Sequence, residues 1–407
     1  MSEQKSPYDI RIIFNEMTLN LVNSMRRNLA RHKTEEQKVG FQFEQWQRAK
    51  LRNLRQYRKA NKRIIDSAGK DAEQLVDDVL RHSFSEGESR FERAWNRVVN
   101  FFLKPFGKQR IVSSGEVDFP QDFHPPPSSE PRPNVELPKA PPESDFFRMN
   151  EKKLGALQET VKNDLKKAQH GVLRRMDDVY RQTIYKAEVH MVAGAKTLDQ
   201  AIDMATKEFL ERGIDCITYS NGRRATIPAY AEMALRTASQ RATFLGEGKK
   251  RDEWGVYTVI MSAHDNCSPW CMPFQGTVMI DDVYTSLSKE RAAELSRDTG
   301  YLLLSYAMEQ GAFHPNCRHT LATYFPGITR LPSPVDEEKA KRNYEAEQRQ
   351  RYIERQIRRY KRLEAGSLDD ANRTKYKEKV KEWTEKLSEH LADNPQLRRE
   401  RRREKVE

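Results

Sequence analysis

Cysteine is scarce in this chain: four residues in 407, at Cys216, Cys267, Cys271 and Cys317. That number builds no disulfide framework for a chain this long, and it leads us to expect reduced thiols. Long apolar runs are missing too. No stretch approaches the ~20 residues that a membrane helix needs, and Met1–Ile12 contains no apolar segment of the kind that opens a secretory signal. The expectation is a cytoplasmically made chain with no membrane partner. Two nucleotide and acyl-transfer signatures are also missing: no G-x-x-x-x-G-K-[ST] loop and no G-x-S-x-G elbow occur. Hydrophobic residues make up only 37%, against ~45–50% in compact domains. That suffices for one respectable core, but not for a compact core along the whole length.

Charge is what the chain has in excess. Charged residues reach 32%, and Lys plus Arg outnumber Asp plus Glu by 72 to 60, a net +12. A basic soluble surface favours a polyanionic partner such as nucleic acid. The excess is not spread evenly. Between Arg48 and Lys62 there is no acid at all, while Arg48, Lys50, Arg52, Arg55, Arg58, Lys59 and Lys62 crowd the stretch. Pairing at i,i+4 inside this run is therefore excluded. Residues 337–407 carry 22 basic and 16 acidic side chains and end in Arg401-Arg402-Arg403. Arg48, Arg52, Arg55, Arg58, Lys59, Lys62 and the three terminal arginines are the candidate contacts to phosphate, with a solvated helix face as the alternative for each group.

Periodicity divides the rest. Met17, Leu21, Met25 and Leu29 make one helical stripe in a basic N-terminal region, residues 1–110. Prolines from Pro120 to Pro142 mark an extended linker, residues 111–148, because proline fixes φ and lacks a backbone donor. Leu154, Leu157, Val161, Leu165, Ala168, Val172, Met176 and Val179 step by three and four, which predicts a long helix opening a core at 149–330. Thr197 with Gln200 reads as a helix start, Gly213 as its stop, and Asn221-Gly222 between two short β-prone runs as a hairpin turn. A helix over about 230–245 follows. Gly246-Glu247-Gly248 reads as a turn, and strands are expected at 256–261 and 277–280. Residues 331–407 read as a helical hairpin with Asp369 as an N-cap, dispensable for the folding of the rest, and a charged tail. The fold class expected is α+β: mostly helical, with a small antiparallel sheet in the central core and basic helical extensions at both ends.

One cluster can carry chemistry. Cys267-Ser-Pro-Trp-Cys271 and His314-Pro-Asn-Cys317-Arg-His319 each adjoin an expected strand. Zinc takes four thiolate or imidazole donors in a tetrahedron, commonly from paired turns. Cys267 and Cys271 supply one pair; Cys317 with either His314 or His319 supplies the other. The alternative is three small buried thiols in a reduced core. A structural ion fits better than a catalytic one, since no HExxH helix is present. Asp281-Asp282 is a second candidate for a cation, with a solvated turn as the favoured alternative.

Taken together, several motifs resemble one family. They are Glu253-Trp-Gly255, Cys267-Ser-Pro-Trp-Cys271, Pro273-Phe-Gln-Gly276, Ile280-Asp-Asp-Val283, Phe313-His-Pro-Asn-Cys-Arg-His319 and Thr323-Tyr-Phe-Pro-Gly327. The chain is similar in these to the phage minor capsid protein 2 family, related to the Mu F-like head morphogenesis proteins. The resemblance implies a minor structural component of a tailed-phage head with no enzymatic activity. It further implies a place in the virion, at the portal vertex or head interior, after assembly in the host cytoplasm. The implied partners are the portal protein, the major capsid protein, or both, together with packaged double-stranded DNA. The competing reading is a zinc-supported nuclease with His314 or His319 as base and Asp281 or Asp282 as metal ligand.

Overall fold

The computed structural model describes residues 5–30, 43–103, 149–192, 197–218, 222 and 224–405. The proline-rich stretch and Asn221 lie outside them. Among the described residues the chain is mostly helical, with one two-stranded and one four-stranded sheet. The helices are α1 (Asp9–Leu29), α2 (Phe43–Arg52), α3 (Leu54–Leu103), α4 (Met149–Val192), α5 (Leu198–Arg212), α6 (Ile227–Trp254), α7 (Lys289–Thr299), α8 (Leu304–Glu309), α9 (Glu337–Gly366), α10 (Asp370–Asp393) and α11 (Arg401–Glu404). The strands are β1 (Asp215–Thr218), β2 (Arg224–Thr226), β3 (Thr258–Met261), β4 (Val278–Ile280), β5 (Leu302–Leu303) and β6 (Leu321–Thr323). The chain forms two compact units, one of residues 1–76, 161–235 and 345–407 and one of residues 77–160 and 236–344.

In the first unit the expected stripes are the core. Met17, Leu21, Met25 and Leu29 of α1 are all buried, with Phe14 and Ile10 one and two turns earlier. The α1 carbonyl end is closed by α2: the Trp46 indole donates to Leu29 O at 3.2 Å and Lys50 Nζ to Ala30 O at 2.7 Å. Lys50 is therefore buried, not part of a solvated charge face. Tyr57 of α3 stacks on Tyr180 of α4 with ring centroids 4.1 Å apart. Thr197 caps α5 by accepting from Gln200 N at 3.1 Å, and Gly213 ends it at φ +82°. β1 and β2 form the antiparallel hairpin, with Gly222 at φ +77° in its turn.

The C-terminal hairpin packs within this unit. Ile353 and Ile357 of α9 pack with Leu387 of α10. The buried Asp203 carboxylate of α5 accepts from Leu368 N at 2.7 Å, Asp369 N at 3.2 Å and Asn372 Nδ2 at 3.0 Å, clasping the α9–α10 turn. Arg362 donates to the last carbonyls of α5, Leu210 O at 2.9 Å and Glu211 O at 2.7 Å. A charged tail that cannot bury a core by itself is thus ordered by helices far away in sequence.

The second unit holds the four-stranded sheet, in the order β5-β4-β3-β6. β3 pairs antiparallel with β4 and β6, in register Val259↔Met279 and Val259↔Thr323. The sheet is mixed and not purely antiparallel, because β5 runs parallel to β4. The physical reason is connectivity: α7 intervenes between the two strands, and a helical crossover returns the chain in the same direction.

Two glycines read as a turn lie inside α6, which runs nine residues beyond the expected end near residue 245. Their role is close approach. A Cβ on Gly246 would stand 2.0 Å from Phe84 O of α3, and one on Gly248 would stand 2.1 Å from Tyr284 O. Gly87 of α3 answers from the other side, 2.1 Å from Thr243 O. The glycines cost helix propensity, and contact between two backbones at this distance admits nothing larger.

Beyond this crossing Arg251 is fully buried. Its guanidinium donates to Asp281 Oδ2 at 2.8 and 3.1 Å, to Glu247 Oε2 at 3.2 Å and to Thr323 Oγ1 at 3.3 Å. It joins α6 to the ends of β4 and β6. One cation faces two carboxylates, and burial pushes the Glu247 carboxyl up to about 7 from an ordinary 4.5, with Arg251 and Arg90 opposing and Asp281 reinforcing the shift. The native state then keeps a proton that the unfolded chain releases above about pH 4.5. Stability falls as pH rises from about 4.5 to about 7 by up to ~3 kcal/mol. Chemical unfolding across that window should show this slope reduced in Glu247→Gln. Arg251→Met strands two buried carboxylates and should cost about 3–5 kcal/mol in the same measurement.

Candidate metal centre

The sheet positions the cysteines. The chain leaves β3 at Met261 and makes the turn carrying Cys267 and Cys271. A single 3₁₀ turn, Met272–Phe274, then leads to β4. The loop bearing His314, Cys317 and His319 enters β6, the other neighbour of β3. Antiparallel pairing of β3 with β6 thus brings the end of one motif beside the start of the other. Cys267, Cys271, Cys317 and His319 are all buried, and His314 is half-buried.

Cys271 is the hub. Its Sγ lies 3.6 Å from Cys317 Sγ, and Cys317 Sγ lies 3.3 Å from His319 Nδ1. The donor atoms of Cys271, Cys317 and His319 all fall within 4.8 Å of one another. Hydrogen bonds from the Cys267 and Cys317 thiols hold the Cys271 thiol well below the ordinary range, and the Cys271 sulfur pushes both of those up. His314 is raised, chiefly by its hydrogen bond to Cys271. Cys271, Cys317 and His319 thus bring two sulfurs and an imidazole nitrogen to one point, the donor types that a shared zinc takes. All four cysteines are free thiols, and 3.6 Å between Cys271 Sγ and Cys317 Sγ is far outside the ~2.05 Å of a disulfide.

Sequence reasoning missed the surrounding residues. Gln275 Oε1 accepts from His264 N at 2.8 Å and faces His319 Nε2 at 3.1 Å. Ser268 Oγ meets His314 Nε2 at 2.7 Å, and His314 Nδ1 faces Pro315 O at 2.9 Å. The His264 ring stacks on His319 with centroids 4.1 Å apart, and burial lowers it to about 4. Nothing in the spacing of Gln275 or His264 announces these roles; they arise from the strand pairing.

Asp281 and Asp282 are neither a solvated turn nor a cation site. Asp281 is fully buried and committed to Arg251 and to Val283 N and Tyr284 N. Asp282 accepts from Ser305 N at 2.9 Å and from the Ser305 hydroxyl.

The basic candidates separate into two groups. Arg48 pairs with Glu44 at 3.5 Å, Arg58 with Asp177 at 3.1 Å and Lys62 with Asp66 at 2.7 Å. Glu44 and Asp66 flank the acid-free run at i,i+4, whereas Asp177 reaches Arg58 from α4, a partner that local spacing does not reveal. Arg402 lies over the Tyr8 ring at 3.8 Å and pairs with Glu400 at 3.3 Å, and the Arg403 carbonyl accepts from Arg358. Arg401 is exposed. Arg52, Arg55 and Lys59, with Arg63, are exposed and have no ion pair among the described residues. Steps of four put Arg55, Lys59 and Arg63 on one face of α3, and Arg52 ends α2 just before it. No helix among the described residues is long and apolar enough to cross a membrane.

A sequence profile of the phage minor capsid protein 2 family matches residues 140–392. A structural protein of Lactococcus phage LL-H is 25% identical over 185 residues, 45% of this chain and 48% of that protein. A structural protein of Lactococcus phage mv4 is 33% identical over 105 residues, 25% of this chain and 85% of that protein. The chain spans about half the length of the LL-H relative. No solved structure matches it.

Burial sorts the thiols by reactivity. In native protein a soluble disulfide reagent should modify Cys216 first, since it alone is partly exposed. Denaturant should release the other three. Fast modification of Cys267, Cys271 or Cys317 in peptide mapping would contradict the packing described.

Proposed function

The chain belongs to the phage minor capsid protein 2 family, and on that premise we propose that it sits at the portal vertex or inner face of the head, against packaged DNA. The observation that carries the DNA contact is the exposed row Arg52, Arg55, Lys59 and Arg63, whose charges no acid among the described residues neutralises. Duplex DNA presents one negative charge per ~1.7 Å of axis, and cations that meet it release counterions. Guanidinium and ammonium groups on one face of α3, with Arg52 at the end of α2 beside them, contact phosphates without reading bases. The role is structural and involves no turnover. Docking to the portal protein, the major capsid protein, or both completes this reading, in line with the family's place in the particle.

The nuclease alternative needs a free carboxylate beside the histidines. Asp281 and Asp282, the acids it named, are committed to Arg251 and Ser305.

Duplexes of unrelated sequence should bind about equally, with affinity falling steeply as salt rises. Replacing Arg55, Lys59 and Arg63 together by Gln should reduce the log–log salt slope by about 0.9 for each phosphate left without its cation. The protein should not cut plasmid DNA with Mg²⁺, Mn²⁺ or Zn²⁺ present. An unchanged slope in the triple variant removes this face as the DNA contact; metal-dependent cutting abolished by His319→Ala overturns the structural role.

A further inference from the structure

We propose that Cys267, Cys271, Cys317 and His319 together bind one structural zinc ion, and that His314 stands outside the ligand set. The donor spacing carries the first part. A tetrahedral ion with bonds of ~2.3 Å to sulfur and ~2.0–2.1 Å to nitrogen separates two sulfurs by ~3.8 Å and sulfur from nitrogen by ~3.6 Å. Cys271 Sγ and Cys317 Sγ are 3.6 Å apart, and Cys317 Sγ and His319 Nδ1 are 3.3 Å apart. Each pair needs to open by only a few tenths of an ångström.

The hydrogen bonds fix which nitrogen of His319 is free. Gln275 Oε1 already accepts the His264 backbone N–H, and the Gln275 amide nitrogen points to Met272 Sδ at 3.2 Å. What faces His319 Nε2 is therefore an acceptor, so Nε2 carries the hydrogen. The lone pair is then on Nδ1, toward the sulfurs. A ligating imidazole whose other nitrogen donates to a fixed oxygen is the usual outer-shell arrangement at zinc.

The fourth donor assigned is Cys267, buried on the same turn as Cys271. Its thiol donates to Ser268 O at 3.1 Å and stands outside the Cys271–Cys317–His319 cluster, so it has to rotate inward to complete the tetrahedron. His314 is only half-buried and stands outside the Cys271–Cys317–His319 cluster. Its Nδ1 faces Pro315 O at 2.9 Å and its Nε2 meets Ser268 Oγ at 2.7 Å. On binding, the three thiols give their protons to solvent and the site carries one net negative charge. The His319 backbone N–H, 3.4 Å from Cys317 Sγ, faces part of that charge. Four buried protein donors leave no position for water, which makes the ion structural.

The backbone supplies an independent reason for a staple here. The two non-glycine residues with positive φ among the described residues are Phe313 at 54° and Asn316 at 65°. Both lie in the loop that delivers Cys317 and His319. Strained backbone of this kind persists where the surroundings over-determine it, and a metal joining this loop to the Cys267–Cys271 turn does that.

The test is metal analysis of the full chain, purified from zinc-replete cells and again after reconstitution with Zn²⁺ alone. One zinc per chain is expected to survive gel filtration. Cobalt(II) in its place should give the intense near-ultraviolet thiolate charge-transfer absorption of tetrahedral sulfur ligation. Cys267→Ser, Cys271→Ser, Cys317→Ser and His319→Gln should each lose the bound metal, and His314→Gln should keep it. Gln275→Leu should weaken binding by about 10–100-fold. Protein without zinc after reconstitution overturns the site and leaves a cluster of buried thiols. Zinc lost from His314→Gln but kept by Cys267→Ser overturns the ligand assignment. If the cysteine variants do not fold, the metal content and cobalt spectrum of the unmodified chain decide the first question. Competitive chelation by the His314→Gln and Gln275→Leu proteins decides the second. DNA binding through the α3 face is measured separately, so failure of one claim is distinguishable from failure of the other.

Discussion

A buried guanidinium organises the second unit. Arg251 enters from α6, and Asp281 at the end of β4, Glu247 one turn back and Thr323 in β6 converge on it. A charge this deep is tolerated only with its hydrogen bonds met, and removing either side strands the other. The constraint propagates through close approaches. For Arg251 to reach the strand ends, α6 must lie near them, and Gly248 against Tyr284 O permits that approach. Gly246 and Gly87 do the same for the crossing of α6 with α3. Phe91, Trp95, Val98, Phe325 and Ile328 then close an apolar cluster, with Trp254 and Val256 packed against it. With β3 and β6 held in register, the two cysteine-bearing segments have to meet.

The first unit depends on a smaller device of the same kind. Asp203 directs its carboxylate to two backbone amides and one side-chain amide at the α9–α10 turn. Burial raises its carboxyl, and those hydrogen bonds oppose the rise. A carboxylate that replaces water for a helix start is a specific latch, because no other side chain of its length accepts so many donors. It explains how a C-terminal segment with few apolar residues is ordered.

Elements whose cause is local were legible in the sequence. The stripe from Met17 to Leu29, the long helix through Val161 and Val172, the cap at Thr197 and the α9–α10 hairpin each follow from spacing or a single capping side chain. The cysteine constellation was also legible, since two short motifs beside strands can meet across one pairing. Elements with a distant cause were not. Gly246-Glu247-Gly248 has the composition of a turn, and only the Phe84 and Tyr284 carbonyls make it a helix interface. β5 is two residues long and pairs parallel, so no local pattern specifies it. The acid-free run misled in part, because Asp177 reaches Arg58 from another helix. Gln275 shows why a site's supports are harder to read than its donors: its amide matters only once His264 and His319 have been brought to it.

The central claim is that this chain is built into the particle. The measurement that tests it most directly is quantitative mass spectrometry of purified, nuclease-treated heads, with tryptic peptides of this chain counted against those of the major capsid protein. A minor capsid protein is predicted at a fixed, low ratio that nuclease treatment does not change. Absence of the chain from washed heads, with the protein abundant in the lysate around them, would contradict the account.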